Sequence, residues 1–288
     1  MVKNQKVKIV LGAVAVLLIV FQGLCIGVAA PKGYYLIYDW IFYGINYAII
    51  ILICIIYTKN RYVRWVQWII GLLLLVANTT FFYYMGDVNV IVSKSPDNQH
   101  ELILKEHQKM KTETVRLKRR GIIFGRKTAT LTGSSKYKTI EEKTYKINWV
   151  SGDIAVVTYQ ASDNGTLQQN AFNYRKSDYI SYQYVAPSLN GKWLEKGNPD
   201  NYFMYDMGEI VYAENGKLFY YNAEDTEQQG IFSLVIQVDQ DQGKPSFSVV
   251  LNSDAEFDEN GLIKVGGTIS IVPMTLDDAE SKVYYRES

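Results

Sequence analysis

IVLGAVAVLLIVFQGLCIGV, residues 9–28, holds twenty residues without a charge. LIYDWIFYGINYAIIILICIIY over 36–57 and WVQWIIGLLLLVANTTFFYY over 65–84 follow it, and no Lys or Arg falls in any of the three runs. A hydrocarbon core about 30 Å thick takes about 20 helical residues to cross. A helix is the one single-segment structure that satisfies its own backbone polar groups there. The three runs therefore predict three transmembrane helices, about 9–28, 36–57 and 65–84, forming an anchor over residues 1–86.

Flanking charge sets the orientation. Lys3, Lys6 and Lys8 precede the first run, and Lys59, Arg61 and Arg64 lie between the second and third, whereas the first connection has only Lys32. Basic flanks stay cytoplasmic, so the N-terminus is expected inside a cell membrane and everything after Tyr84 outside. Tyr34, Tyr35, Tyr38 and Trp40 with Phe81 to Tyr84 make the outer aromatic belt, and Tyr57, Tyr62, Trp65 and Trp68 the inner one. Val28-Ala29-Ala30 resembles a signal-peptidase site, but Pro31 follows it, and helix one is expected to be retained. Gln22, Asp39, Asn46 and Asn78 all fall in the outer half of the bilayer. Polar groups in lipid need partners, so these four are expected to form a hydrogen-bonded cluster. Gly12, Gly23 and Gly27 permit close approach of a neighbouring helix on the first run.

After residue 86 the periodicity changes to two. Val88 to Lys94, His100 to Glu106, Thr114 to Lys118, Tyr145 to Val150, Asp153 to Gln160, Tyr179 to Val185, Glu209 to Tyr212, Lys217 to Tyr221, Phe232 to Val238, Ser246 to Leu251, Leu262 to Val272 and Lys282 to Tyr285 read as strands. Ser95-Pro96-Asp97-Asn98, Ser151-Gly152-Asp153, Asp163-Asn164-Gly165, Glu214-Asn215-Gly216 and Glu259-Asn260-Gly261 supply turns between them. The fold class is thus a membrane protein, three N-terminal transmembrane α-helices followed by an extracytoplasmic, mainly antiparallel β domain in one or two sheets. Ser95-Pro96-Asp97-Asn98 before a strand, with Ile147-Asn148-Trp149 and Asp153 to Tyr159, resembles pieces of TolB-type propeller blades. A propeller needs four or more such blades, and no matching period recurs, so shared turn chemistry accounts for the likeness.

The net charge of +1 conceals two opposed segments. Residues 105–143 carry twelve Lys/Arg against four Asp/Glu, and residues 195–288 carry six against eighteen. A basic β region over 87–190 and an acidic one over 191–288 follow, with a boundary in the Asn- and Gly-rich stretch near Pro187 to Pro199. Cys25 and Cys54 are the two cysteines and both lie in apolar runs, so the β domain has no disulfide. With no metal motif either, a bacterial envelope domain held by its own core is the expectation.

Motifs for chemistry are weak. Ser135-Lys136-Tyr137-Lys138, Ser162-Asp163-Asn164 and Lys264-Val265-Gly266 resemble the Ser-x-x-Lys, Ser-Asp-Asn and Lys-Thr-Gly motifs of serine acyl-transferases acting on cell walls. That chemistry needs the serine on a buried helix, and Thr139 to Lys146 is polar throughout. His100 and His107, the two histidines, have no reason to converge on a metal. Asp239 to Gly243 and Asp254 to Gly261 hold oxygen ligands without calcium-loop spacing. No catalytic residue, metal or cofactor is therefore expected. Two surfaces remain as contact candidates. Arg116, Lys118, Arg119, Arg120, Arg126 and Lys127 suit an anionic partner, a headgroup or an envelope polymer; Tyr179, Tyr182 and Tyr184 suit a sugar or protein. The expected function is non-catalytic binding at the bacterial envelope. An accessory subunit docking another membrane protein through its helices is the second reading, and an envelope hydrolase or transferase the third. Nucleic acid is excluded outside the cell.

Overall fold

A computed structural model of the chain describes residues 4–56, 58–109, 113–131, 137–175, 184–239 and 242–287. It divides into two compact units, Met1–Val92 with Leu102–Glu141, and Ser93–Glu101 with Glu142–Ser288. These divisions differ from the compositional boundaries at 86 and 190, because the apolar helices share a unit with the first strands.

In the first unit, α1 (Gln5–Leu24) starts on Asn4, whose side chain accepts from the Lys6 N–H. A π turn (Cys25–Ala29) and a 3-10 turn (Ala30–Lys32) prolong it until Gly33, at φ 76°, turns the chain away. α2 covers Trp40–Ile55. α3 (Arg61–Phe81) is capped by the Asn60 side chain and prolonged by a π turn to Gly86. Gln5–Lys32, 28 residues, and Arg61–Gly86, 26 residues, are long and apolar enough to span a membrane; α2 belongs to the shorter class. Two helices, not the expected three, reach that length. Of the expected 36–57, Leu36 pairs in β1 (Tyr34–Leu36) with β5 below, the helix starts only after Asp39, and it stops at Ile55. Within the chain, close helix approach occurs at a different glycine. A Cβ on Gly71 would lie 2.4 Å from Cys54 Sγ, whereas Gly12, Gly23 and Gly27 face open space.

The same unit holds β2 (Val88–Lys94), β3 (Glu101–His107), β4 (Thr114–Arg120) and β5 (Phe124–Thr130), the first two running on into the second unit. The sheet order is β1-β5-β4-β3-β2. Ile37, Ile103 and Leu117 form its core, with Val90 and Val115 against them. Gly125 is required there, because a Cβ would sit 2.9 Å from Leu117 Cβ.

The second unit contains a three-stranded sheet, β6 (Tyr145–Val150), β7 (Ile154–Gln160) and β8 (Leu167–Asn173). A short helix, α4 (Val185–Ser188), leads to nine more strands: β9 (Gly191–Glu195), β10 (Asn198–Asp206), β11 (Glu209–Glu214), β12 (Lys217–Tyr221), β13 (Thr226–Gln228), β14 (Ser233–Ile236), β15 (Phe247–Leu251), β16 (Thr268–Pro273) and β17 (Lys282–Arg286). They order as β12-β11-β10-β9-β17-β16-β15-β14-β13, two meanders joined where β17 pairs antiparallel with β9. The turn signals act as expected: Ser151-Gly152 and Asn215-Gly216 take positive φ at both central positions. Met207-Gly208, between β10 and β11, does the same without any such signal.

This sheet curls into a half-barrel. The Phe247 ring on β15 lies 4.6 Å from Tyr212 on β11 and 5.8 Å from Tyr221 on β12, strands far from it in the order. The three-stranded sheet packs into the concavity, with Val150, Ile154 and Val156 joining Trp193, Phe203, Val249 and Ile271 in one core. Gln169 on β8 bridges the layers, its amide donating to Thr158 Oγ1 and to the Pro273 carbonyl and accepting from Ser248 Oγ. Gln229 completes the free edge of β8 like an additional strand residue: its side-chain oxygen accepts from Ala171 N and its amide donates to the Gln169 carbonyl.

Aromatic burial makes the unit sensitive to alkali. Burial holds the phenols of Tyr212, Tyr221 and Tyr284 well above the ordinary tyrosine value. A raised folded pKa means stability that is fully present below the unfolded value of about 10 and is lost as pH rises above it. In a phenolate absorbance titration these three rings should ionise only together with loss of β circular dichroism. Their titration near pH 10 in a still-folded chain would contradict the burial.

Candidate functional site

β3 reads ELILKEH, and successive residues of a strand point to opposite faces. Leu102, Ile103 and Leu104 are fully buried, so both faces of this strand are covered and both Lys105 and Glu106 are buried with them. Each therefore needs a partner. Glu106 accepts from Thr114 Oγ1 at 2.9 Å and from the backbone N–H groups of Ile140 and Glu141, both at 3.0 Å. Its carboxylate thereby ties residues 140–141 to the sheet.

Lys105, on the other face and 4% exposed, donates to Asp39 Oδ1 at 2.6 Å and to the Leu36 carbonyl at 2.9 Å. Asp39 is the residue at which α2 begins. The pair joins the first sheet to the start of that helix, and His107 Nδ1 stands 4.0 Å from the second Asp39 oxygen. A cavity of about 310 Å³ borders this group, lined among others by Cys25, Tyr34, Phe42, Met85 and Phe124. Lys105 and Asp39 form a close ion pair within this group.

Of Gln22, Asp39, Asn46 and Asn78, expected to hydrogen-bond together, Asn46 and Asn78 bond each other, Gln22 bonds a backbone carbonyl and Asp39 lies with Lys105. Asn46 Nδ2 donates to Asn78 Oδ1 at 2.8 Å, Asn78 Nδ2 donates to the Tyr43 carbonyl, and Gln22 Nε2 donates to the Phe42 carbonyl. All three line an open cavity of about 450 Å³ among the helices. Asp39 is drawn away because Lys105 offers a full opposite charge, a stronger partner than a neutral amide.

The six basic candidates divide between two faces. Leu117 points into the core, so Arg116, Lys118 and Arg120 share the opposite face of β4, and Arg126 joins them directly across from Lys118. Lys118, Arg120 and Arg126 are exposed. Arg119 lies on the Leu117 face, its guanidinium on the Ile122 carbonyl; Lys127 pairs opposite Leu117 and reaches Glu113 at 3.5 Å. Of the aromatic candidates, Tyr179 and Tyr182 lie outside the described residues, and Tyr184 is exposed just before α4.

The remaining motifs are absorbed by turns. Ser135 and Lys136 lie outside the described residues. Ser162-Asp163-Asn164 is the β7–β8 hairpin tip, with Asn164 Oδ1 accepting from Thr166, and Lys264 pairs with Glu256. Asp254 accepts from Thr268, and Asp258 from the N–H groups of Asn260 and Leu262. His100 stacks on Tyr174 at 5.3 Å. Among the described residues no group of three His, Cys, Asp or Glu is placed to hold a metal.

Two polar sites were missed by sequence reasoning. Adjacent charges inside the apolar run of β3 are the signal that could have found Lys105 and Glu106. Arg175 and Asp153 give no such signal, being 22 positions apart in polar surroundings, yet they pair through two hydrogen bonds of 2.6 and 3.1 Å. No protein-family model matches this chain, and no curated protein matches its sequence.

Proposed function

We propose that this chain is a membrane-anchored binding protein of a bacterial cell envelope, without catalysis, its three helices in the membrane, its N-terminus cytoplasmic and its β units outside. The long helices support the anchor. Only 6% of the apolar window of Gln5–Lys32 and 11% of that of Arg61–Gly86 is buried, unlike core helices of a soluble protein. Their exposed Leu, Ile and Val side chains would be costly in water. α2 fits as a shorter crossing whose outer end is completed by β1. The distribution of Lys6, Lys8, Lys59, Arg61 and Arg64 against Lys32 supports the sidedness.

The observation that carries the binding reading is the exposed basic face of Lys118, Arg120 and Arg126, on a sheet in the same unit as the helices. Such a face takes an anionic partner. The isolated segment 88–288 would lack β1 and Asp39, so the test uses the full chain, in phosphatidylcholine nanodiscs. Poly(glycerol phosphate) should bind, neutral dextran should not, and Lys118→Glu with Arg126→Glu should abolish binding where Lys217→Glu with Lys264→Glu does not. Equal binding by both double variants would remove the basic face as the site.

The accessory-subunit reading rests on the open cavity among the helices lined by Gln22, Asn46 and Asn78. It differs in requiring a stoichiometric membrane partner in mild detergent.

A further inference from the structure

The turn between β4 and β5 carries Ile122, which is 89% exposed between Gly121, at φ 74°, and Ile123. An isolated apolar tip on water needs no explanation by itself; its placement does. β1 pairs with β5 as Tyr34↔Arg126 and Leu36↔Phe124, and the Ile37 N–H donates to the Ile123 carbonyl at 2.9 Å. Moving from Tyr34 to Ile37 the chain heads for α2, so moving from Arg126 to Ile123 the hairpin heads the same way. The tip points along the path by which α2 begins.

Depth agrees. The Phe124 ring lies 6.3 Å from Phe21, and Phe21 stands eleven residues before the end of the continuous helix at Lys32. At 1.5 Å per residue that is about 16 Å down the helix. The hairpin end is therefore level with apolar residues of α1 rather than beyond them. Its backbone is prepared for low water: the Ile122 carbonyl accepts from the Arg119 guanidinium and the Ile123 carbonyl from Ile37. Arg120 lies directly across from Phe124, Lys118 and Arg126 pair two residues further from the tip, and all three are exposed.

We propose that the β4–β5 hairpin is a second membrane contact of this protein: Ile122 enters the outer leaflet at the boundary of headgroups and acyl chains, and Lys118, Arg120 and Arg126 hold the phosphates of anionic lipids. This rests on the membrane-anchored reading and names the anionic partner of its basic face as the lipid surface itself. The combination is that of interfacial anchors, an apolar wedge backed by cations.

Nitroxide labels test it in the full chain with Cys25 and Cys54 replaced by serine, in nanodiscs containing phosphatidylglycerol. The labelled positions are Ile122→Cys, Leu73→Cys on α3 and Met207→Cys on the β10–β11 turn, all exposed side chains whose replacement leaves packing intact. Collisions with a water-soluble nickel chelate should be several-fold fewer at 122 than at 207, collisions with oxygen more frequent, and reversing Lys118, Arg120 and Arg126 to glutamate should return 122 toward the behaviour of 207. Position 122 as open to the chelate as 207, with 73 protected, overturns the proposal and leaves the basic face to a soluble anionic polymer. Position 73 open to the chelate as well overturns the membrane-anchored reading beneath it.

Discussion

Lys105→Met should destabilise the first unit by about 3–5 kcal/mol, the cost of removing one partner from a buried ion pair. Lys105 is 4% exposed, while Asp39 at 21% retains some contact with solvent, which places the effect toward the lower end. The Leu36 carbonyl also loses its lysine donor. Asp39→Asn in the same chain should recover much of the loss, since the uncompensated carboxylate causes most of it. The measurement is thermal unfolding in one fixed detergent, with Lys264→Met as reference. Lys264 and Glu256 form an exposed pair, worth about 0–1 kcal/mol. A Lys105→Met loss no larger than that reference, or no recovery in the double variant, would refute the coupling of sheet and helix through this pair.

Arg175→Met should cost the second unit a comparable amount, about 3–5 kcal/mol. Besides its forked contact with Asp153, the guanidinium donates to the carbonyls of Leu251 and Asn252 and stacks 4.6 Å over the Phe232 ring. It therefore joins the β6–β7 turn to the end of β15. Arg175→Lys is the informative comparison: lysine keeps the charge but lacks the planar fork, so less than half of the loss should return. Loss of β circular dichroism with denaturant reads both variants. Full recovery by lysine would mean that charge alone matters at this position.

Strand and turn chemistry was legible because it is local. Tyr145–Val150 and Lys217–Tyr221 have the predicted limits, and the Ser151-Gly152 and Asn215-Gly216 turns take the left-handed conformations that short polar residues and glycine tolerate. β9 and the start of β10, in the stretch expected as a boundary, were not legible. Gly191 at φ 126°, Gly197 at φ 94° and the register shift between Asn198 and Tyr202 interrupt their alternation, and partners on both sides still hold them in the sheet. The polar residues divide in the same way. Helical spacing put Gln22, Asn46 and Asn78 at one depth, and they share one cavity. Asp39 left that group for a lysine 66 positions away, a distance no local pattern encodes.

Short-range interactions account for the apolar helices near the N-terminus, the antiparallel strands after them, and most of the turns. Hydrophobic period, helix caps and positive-φ residues act within a few positions, and they suffice for these. Long-range contacts set the rest: Leu36, at the edge of the second apolar run, pairs in β1 with β5, two rather than three helices reach spanning length, nine strands curl into one half-barrel, and Lys105 closes on Asp39. Each of these depends on a backbone or charged group satisfied by a partner distant in the chain, and burial, which exists only once the chain has folded, is what makes that partner obligatory.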